Sequence, residues 1–301
     1  AGKFTTCALK KIIPASRAVM NYRHIYHAGN FADVLKHAVL ARLVAYLKNK
    51  DKAFRVIDTH AGIGVYDLSS EEAEKTGEWR DGIGRIIDET PPAEVATLLE
   101  PYFEAVRAVN PEGRIRRYPG SPKIVRHLLR KQDRLSLMEL HPDDHRVLAN
   151  VFAGDIQTRV IHLDGWLALN AHVPPKERRG LVLVDPPFEK EGEYERMAEG
   201  FAKAYRKFSN GIYCLWYPLK KGAPVGRFHD MLREFEIPKI LCAELTVKSD
   251  RHETGLTGSG LIIVNPPYTL ADELKVLLPW LKGKLAQDRF ASARSFWIAP
   301  E

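Results

Sequence analysis

Apolar residues near the start of the chain recur at helical spacing and then give way to a short apolar run. Between residues 31 and 48 they follow one another at intervals of three and four, which predicts a helix from Phe31 to Lys48 with Asn30 as its N-cap. The next apolar run, residues 54–58, predicts a buried strand that ends in a glycine-bearing turn, residues 59–64. A strand followed by such a turn is typical of the start of a nucleotide-binding α/β unit.

Further apolar runs predict more strands, and helical patterns separate most of them. The predicted strands are residues 135–140, 159–165, 180–187, 211–218, 239–245 and 260–267, and the clearest later helices are residues 194–208 and 270–285. This alternation predicts a Rossmann-like α/β fold with a mostly parallel, doubly wound sheet. The last two strands have no clear helical pattern between them, so we expect an antiparallel hairpin that closes the sheet.

One spacing predicts an insertion. In a simple Rossmann unit, the acid that ends the second strand lies about 20 residues past the glycine turn. The candidate acid here is Glu139, which lies 81 positions after Asp58 (139 − 58). The intervening sequence has helical patterns, so we expect a small helical insertion over about residues 66–118. Its role is either structural or to grip the substrate.

Composition and charge narrow the class of protein. The chain has 301 residues, of which 45% are hydrophobic and 28% charged, as in an ordinary globular protein. Lys and Arg outnumber Asp and Glu by 45 to 38, which gives a net charge of +7. Such an excess serves either solubility or the binding of phosphate backbones, and the charge alone favours neither explanation.

The cysteines and the termini bear on the cellular compartment. The three scattered cysteines (Cys7, Cys214 and Cys242) make a disulfide framework improbable and favour a reducing cytosol, so we expect a cytoplasmic protein. No apolar run reaches the roughly 20 residues of a membrane helix. Residues 1–19 are basic and lack acids, which suits an extension or a tag, or a transit peptide. We expect the functional domain to be residues 20–301.

The tetrapeptide Asp185-Pro-Pro-Phe188 is the strongest chemical signal. It closes an apolar strand, so it lies at the carboxyl edge of the predicted sheet, where ligands bind in open α/β folds. One chemistry that this arrangement suits is methylation of the N6 amine of adenine. That amine is a poor nucleophile because its lone pair is delocalised into the ring. The Asp185 carboxylate and the Pro186 carbonyl can accept both amine hydrogens and orient the nitrogen for methyl transfer. Phe188 offers a face for stacking the extruded base.

A second tetrapeptide of the same form competes with the first. Asn265-Pro-Pro-Tyr268 also follows an apolar strand. The order of motifs decides between them, since a cofactor turn, Glu139, Asp164 and then Asp185 follow successive strands. Asn265 comes two or three strands later, so we interpret it as part of a turn on the closing hairpin.

Acidic residues that end strands complete a candidate nucleoside site. In this fold an acid after the second strand, here Glu139, accepts hydrogen bonds from a ribose, and one after the third, here Asp164, can meet an adenine amine. The turn that holds His60 brings backbone N–H groups toward a ligand, although a turn of this kind often binds nothing.

The N-terminal stretch from Tyr22 to His37 mixes aromatic and basic residues. Tyr22, Arg23 and His24 suit stacking on bases and pairing with RNA phosphates. The histidines at 24, 27 and 37 are an alternative metal-ligand set. No carboxylate or cysteine completes a convincing spacing, so we predict no metal.

Several of these motifs together resemble the bacterial 23S ribosomal RNA adenine-N6 methyltransferases that modify adenine 2030. The motifs are YRHxxHAGNxADVLKH (22–37), DTHAGxG (58–64), YPGSP (118–122), ELHP (139–142), DG (164–165), RRGLxLxDPP (178–187) and LWYP (215–218). They extend over most of the chain from residue 20 onward, and the first of them is the most specific.

The resemblance implies a class I methyltransferase that uses S-adenosylmethionine, with no metal, and acts on 23S ribosomal RNA. It makes Asp185 the catalytic acceptor and Tyr22 an RNA contact. The cofactor contacts that it implies are His37, His60, Ser121, Glu139, Asp164, Gly165 and Asp185. We add Lys36, as a charge near the cofactor carboxylate or an RNA phosphate. The family tetrapeptide usually ends in Tyr, whereas this chain has Phe188, which keeps the stacking face and lacks the hydroxyl.

Two rival functions stay open at this point. The first is a DNA adenine-N6 methyltransferase, although the chain shows no separate sequence-reading domain. The second is a catalytically silent RNA-binding protein on the same scaffold, against which the intact Asp185 and Pro186 argue. The form of the RNA, naked or within a pre-ribosomal particle, cannot be read from the residues, and we expect a monomer.

Overall fold

The first helix begins where the sequence predicts it. In the computed structural model, which describes residues 23–249 and 255–300, helix α1 spans Phe31–Lys48. The Asn30 side chain caps it by accepting hydrogen bonds from the N–H groups of Ala32 and Asp33. Most of α1 is buried on all sides, since it packs between the sheet and three other helices. The polar residues on α1, which include Asp33, Lys36 and His37, are therefore enclosed in the protein.

The remaining elements alternate along the chain as predicted. The strands are β1 Arg55–Asp58, β2 Val65–Asp67, β3 Arg117–Pro119, β4 Arg134–Glu139, β5 Thr158–His162, β6 Gly180–Val184, β7 Ile212–Leu219, β8 Ile240–Thr246, β9 Gly258–Val264 and β10 Ser292–Ala299. The further helices are α2 Glu71–Thr76, α3 Ala93–Ala108, α4 Ser121–Leu128, α5 Pro142–Val151, α6 Gly165–Ala171, α7 Glu193–Lys207, α8 Val225–Glu234 and α9 Leu270–Leu285.

Eight of these strands form one sheet in the order β10-β8-β9-β7-β6-β1-β4-β5. Strands β5, β4, β1, β6 and β7 are parallel, whereas β9, β8 and β10 pair antiparallel with their neighbours. This confirms the Rossmann-like fold with a doubly wound sheet. The predicted closing hairpin is β8–β9. The prediction missed β10, which pairs with β8 at the edge of the sheet, and the short strands β2 and β3, which pair with each other.

Two apolar cores cover the two faces of the sheet. Helices α1, α3, α4 and α9 pack on one face, and α6, α7 and α8 on the other. Apolar residues of α3, such as Leu99 and Tyr102, belong to the same core as α1. Residues 66–118 therefore pack against the same core as the sheet, and their division from the main domain stays a prediction.

No helix in the described ranges is long and apolar enough to cross a membrane.

Candidate active site

Strands β1 and β6 are parallel neighbours, but successive strands are added to the sheet in opposite directions from them, and a cleft opens at their carboxyl ends. From β1 the chain moves outward through β4 and β5, and the later strands extend from β6 on the other side. Such a switch point is where open α/β sheets bind ligands, because the loops on either side diverge. The cleft is lined by residues from the ends of β1, β4 and β6, from α1 and from the N-terminus of α4.

Asp58 ends β1 at the base of this cleft. Its carboxylate is fully buried and accepts a hydrogen bond from the Ser121 hydroxyl at 2.6 Å. Burial raises the pKa of Asp58 to about 7, and the nearby Asp185 carboxylate adds to that shift. Asp58 does not itself line the cleft, but Ser121 does, so a cationic ligand group bound beside Ser121 would favour the ionised form of Asp58.

The glycine turn is tied to Glu139 at the end of β4. The Glu139 carboxylate accepts N–H hydrogen bonds from Gly62 and His141, both at 2.8 Å. Burial nevertheless raises its pKa. Each carboxylate oxygen can accept a second hydrogen bond, so the group can still receive ribose hydroxyls. Gly62 has φ +61, a left-handed conformation that favours glycine.

Asp164 has a structural role that the sequence reading did not include. Its Oδ1 caps α6 by accepting N–H hydrogen bonds from Trp166 and Leu167 at 2.8 and 3.1 Å. Its Oδ2 lies 3.9 Å from the Arg196 guanidinium and is the oxygen left for a ligand amine. A Cβ at Gly165 would lie 2.2 Å from the Thr59 carbonyl oxygen, so only glycine lets α6 approach the turn.

Two histidines line the cleft as neutral rings. His37 Nδ1 lies 2.7 Å from the Tyr118 hydroxyl, and burial lowers the pKa of His37 to about 3. His60 Nδ1 lies 2.8 Å from the Thr59 hydroxyl, and burial lowers its pKa to about 4. At neutral pH these rings can offer hydrogen bonds and shape but no charge.

The Lys36 ammonium connects α1 to the predicted catalytic carboxylate. It donates to Asp185 Oδ2 at 2.5 Å and lies 2.8 Å from Asp33 Oδ1. The attraction of the two carboxylates outweighs burial and raises the pKa of Lys36. Asp33 is itself fully buried, and the cations around it hold its pKa well below the usual range. The Lys36 ammonium therefore stays protonated beside Asp185.

The prolines of the tetrapeptide lie in the cleft, but its aromatic residue does not. Asp185, Pro186 and Pro187 line the cleft. Phe188 is not among the lining residues, and its ring packs 4.8 Å from Tyr194 and 5.7 Å from Trp216, between ring centroids. It has φ +50, a conformation that costs a non-glycine residue about 1–2 kcal/mol. The predicted stacking of the base on Phe188 therefore needs correction, because its ring packs against Tyr194 and Trp216 and does not line the cleft.

The competing tetrapeptide lies at the opposite edge of the sheet. Strand β9 runs antiparallel to β7, with Val264 paired to Tyr213, so Asn265 follows at the amino ends of the parallel strands. The Asn265 side chain donates hydrogen bonds to the carbonyls of Ser209 and Gly211 at 2.8 and 2.7 Å. Its place on a turn at the end of the β8–β9 hairpin agrees with the interpretation made from motif order.

The N-terminal residues only partly reach the cleft. Tyr22 and residues 1–19 lie outside the described residues. His24 lines the cleft and bonds to Asp33 at 2.9 Å. Arg23 is exposed and lies 3.4 Å from Asp144. His27 and His37 bond to Glu78 and Tyr118, so each of the three histidines of the alternative metal set has a different partner.

All eight predicted cofactor residues line the cleft, together with others that the sequence reading gave no role. The eight are Lys36, His37, His60, Ser121, Glu139, Asp164, Gly165 and Asp185. The unassigned residues that also line it include Trp166, Arg196 and Glu193. Glu193 is buried, and its Oε2 has no hydrogen-bond partner among the described residues. No spacing in the sequence singles it out.

The fold and the cleft define a class I methyltransferase, in which a nucleoside-binding row follows successive strands and an Asp-Pro-Pro segment faces it. Residues 51–299 match the family described as ribosomal RNA large subunit methyltransferase D, RlmJ. The chain belongs to this family, which confirms the predicted class of S-adenosylmethionine-dependent ribosomal RNA methyltransferases.

Similar proteins from three bacteria support the assignment. The chain is 46% identical over 284 residues to ribosomal RNA large subunit methyltransferase J of Escherichia coli strain K12, which covers 94% of this chain and all of that protein. It is 42% identical over 285 residues to the protein of the same name from Haemophilus influenzae, with the same coverage. A crystal structure of a Legionella pneumophila protein, 37% identical, superposes with a TM-score of 0.82 over 90% of this chain and 98% of that one.

Proposed function

We propose that this enzyme methylates the N6 amine of an adenine in 23S ribosomal RNA, at the position that corresponds to adenine 2030. The observation that carries the proposal is the place of Asp185 and Pro186 in the same cleft as the nucleoside-binding row. We also propose that it acts as a monomer in the cytoplasm, where ribosomes are assembled.

The cleft residues fit S-adenosylmethionine. Glu139 has free acceptor capacity for the ribose, and Asp164 Oδ2 for the adenine amine. Ser121 lines the cleft and donates to the buried Asp58 carboxylate, so a cationic group of the cofactor beside Ser121 would favour ionised Asp58. When bound, the cofactor supplies an electrophilic methyl group.

The role of the chain is to hold and orient the target amine. The Asp185 carboxylate and the Pro186 carbonyl accept the two N6 hydrogens, which directs the nitrogen lone pair out of the base plane. Pro186 and Pro187 lack N–H donors, so no backbone donor of theirs competes for these acceptors. Asp185 stays a strong acceptor because Lys36 compensates its charge. Methyl transfer would form the N–C bond as the bond between the methyl group and the cofactor sulfur breaks. The nitrogen would then be acidic, and the Asp185 carboxylate, which accepts one of its hydrogens, would take that proton.

Phe188 positions the Asp-Pro-Pro segment in this scheme. Its ring packs against Tyr194 and Trp216. These contacts hold a left-handed residue directly after the prolines, where an unsupported loop would relax. We place the RNA contacts of the N-terminal segment at Tyr22, Arg23 and His24, of which His24 lies in the cleft.

The test is methyl transfer from labelled S-adenosylmethionine to three substrates in parallel: unmodified 23S ribosomal RNA fragments, duplex DNA and single-stranded DNA. The products are digested to nucleosides and identified by mass. N6-methyladenosine from the RNA alone is the expected result. Transfer to DNA alone would replace the proposal with the DNA-methyltransferase alternative, and a different methylated nucleoside would overturn the N6 assignment.

A further inference from the structure

One short segment of this protein is strongly basic. Residues 107–131 contain eight Lys or Arg residues and one acidic residue, Glu112. These 25 residues therefore have a net charge of +7 (8 − 1), as large as that of the whole chain. Solubility alone does not require such a dense local excess, whereas the binding of a phosphate backbone does.

This segment runs beside the cleft. It extends from the C-terminal end of α3 through a loop and β3 into α4. Gly120 and Ser121, within it, line the cleft, and Ser121 bonds to Asp58. Lys123 follows Ser121 by two residues, about 3 Å along the helix axis. Helix α4, which carries Lys123 and Arg126, therefore begins at the edge of the site.

One face of α4 presents basic side chains only. Its buried residues are Ser121, Pro122, Ile124, Val125 and Leu128. Lys123, Arg126 and His127, at helical intervals of three and four, share the opposite face. They form one wall of a groove whose other side includes the small residues Ala105 and Ala108 of α3. Small residues leave room for a backbone to approach the cations.

The groove has one carboxylate in its lining, and that carboxylate is already compensated. Asp155 accepts hydrogen bonds from Arg126, at 2.5 and 3.2 Å, and from Thr158 at 2.8 Å. Lys123 lies over the Phe152 ring, at 5.5 Å from its centroid, and has no carboxylate partner among the described residues. The groove therefore keeps a positive potential.

The loop before β3 is held in a fixed conformation. The Asn110 side chain accepts N–H hydrogen bonds from Arg116 and Arg117 at 2.8 and 2.9 Å, and donates to the Arg117 carbonyl. Ile115 packs against the core. Arg114, Arg116 and Arg117 are exposed on this anchored loop. A fixed array of cations loses less conformational entropy on binding than flexible side chains on a mobile loop would.

Not every basic residue of the segment is available. Arg130 donates to Asp133 and to the carbonyls of Lys48, Lys50 and Lys52, so it holds the structure together. Arg107 pairs with Glu100, and Arg116 lies 3.9 Å from Glu112, both at exposed positions where ion pairs are weak.

We propose that the surface formed by residues 107–127 binds the phosphate backbone of the substrate RNA on the α4 side of the cleft. This inference rests on the proposed function, because it takes the polymer that enters the cleft to be RNA. The surface contributes affinity and orientation, and the choice of the base stays with the Asp185 site.

The test compares two triple variants of the full chain. The first carries Arg114→Gln, Arg117→Gln and Lys123→Gln. The matched control carries Lys203→Gln, Arg206→Gln and Arg233→Gln, three exposed basic residues of α7 and α8 on the other face of the sheet. Both variants lose the same charge, so a nonspecific effect of net charge acts on them equally. Thermal unfolding and S-adenosylmethionine binding show that each variant is folded.

Binding is measured by fluorescence anisotropy with a labelled, naked 23S ribosomal RNA fragment over a series of salt concentrations. The first variant should bind on the order of 10- to 100-fold more weakly at 0.1 M salt. The slope of log K against log salt concentration should fall by about 2 to 3, since each phosphate contact contributes about 0.7 to 0.9. The control should change either quantity much less.

Equal losses in both variants, or an unchanged slope in the first, would overturn the inference, as would a wild-type protein that does not bind the fragment. Methyl transfer by the wild-type protein tests the proposed function separately. Transfer to RNA with unaltered binding by the first variant would reject the docking surface alone. Absence of transfer to RNA would reject the function, whatever the variants bind.

Discussion

Lys36 and Asp185 lie 149 residues apart in the chain, and Lys36 Nζ lies 2.5 Å from Asp185 Oδ2 in the structure. The lysine comes from the helix that precedes the first strand, and the aspartate ends the fourth strand of the parallel set in chain order, β6. Both groups are largely buried, with side-chain exposures of 5% and 16%. The helix thus supplies a counter-charge for the proposed catalytic carboxylate, a pairing that no local sequence pattern indicates.

Removal of the Asp185 carboxylate should abolish methyl transfer. In Asp185→Ala the target amine loses one of its two acceptors, and we expect the rate to fall by at least about 100-fold, as when a preorganised hydrogen-bonding group is removed from other enzymes. Cofactor binding, measured by calorimetry, should be largely retained. Full activity would reject the assignment of the tetrapeptide.

Asn265→Ala is the matched control for that experiment. It should keep most of the activity, because Asn265 lies at the opposite edge of the sheet. It should also cost about 1–3 kcal/mol of stability, since the carbonyls of Ser209 and Gly211 lose their donor. Loss of turnover in a folded Asn265→Ala protein would mean that the wrong tetrapeptide has been chosen.

Replacement of Lys36 should affect stability and activity in separable ways. Lys36→Met leaves the Asp33 and Asp185 carboxylates without their shared cation, which should cost about 3–5 kcal/mol of unfolding free energy. A second change, Asp33→Asn, removes one of the two uncompensated charges and should restore part of the stability but no methyl transfer. Denaturant unfolding and transfer rates measure the two effects. A double variant as unstable as Lys36→Met would contradict this account.

Acid should destabilise the protein partly through His37. The folded ring has a pKa of about 3, below its ordinary value of 6.5, so only the unfolded chain takes up this proton as the pH falls below 6.5. The contribution of neutral His37 to the free energy of unfolding is therefore fully present above pH 6.5, and it is lost as the pH falls from 6.5 to about 3. Between pH 7.5 and 5.5 the wild-type protein should lose about 1 kcal/mol more than His37→Gln. If denaturant unfolding shows that the wild-type protein and His37→Gln lose the same free energy of unfolding between these pH values, the prediction is wrong.

Gly165→Ala should weaken cofactor binding. The added methyl group would lie 2.2 Å from the Thr59 carbonyl oxygen and 2.7 Å from the His60 ring, so α6 and the glycine turn would have to separate. We expect at least a tenfold higher dissociation constant for S-adenosylmethionine, about 1.4 kcal/mol. Gly283→Ala, in α9 where an added Cβ meets no atom within 4 Å, should leave binding unchanged. Similar dissociation constants for both variants would argue against close packing as the cause.

The sequence by itself determined the fold class and placed the strand-end acids at one edge of the sheet. Buried strands and helices leave distinct periodicities, and the acids at Asp58, Glu139 and Asp164 directly follow such strands or end them. Parallel strands bring their carboxyl ends to one edge, so linear order was enough to group these residues. The edge strand β10 was missed because its first four residues are mostly polar and every residue except Ile298 is exposed or half-exposed.

Only the tertiary structure decided which groups touch. The pairing of Lys36 with Asp185 depends on where α1 packs, and the turn of Phe188 away from the cleft depends on a left-handed residue supported by Tyr194. The net charge of the sequence left two explanations open. The fold places one strongly basic segment, residues 107–131, at the edge of the cleft, because α4 begins there with Ser121. Long-range contacts of this kind follow from packing, which has no local pattern in the chain.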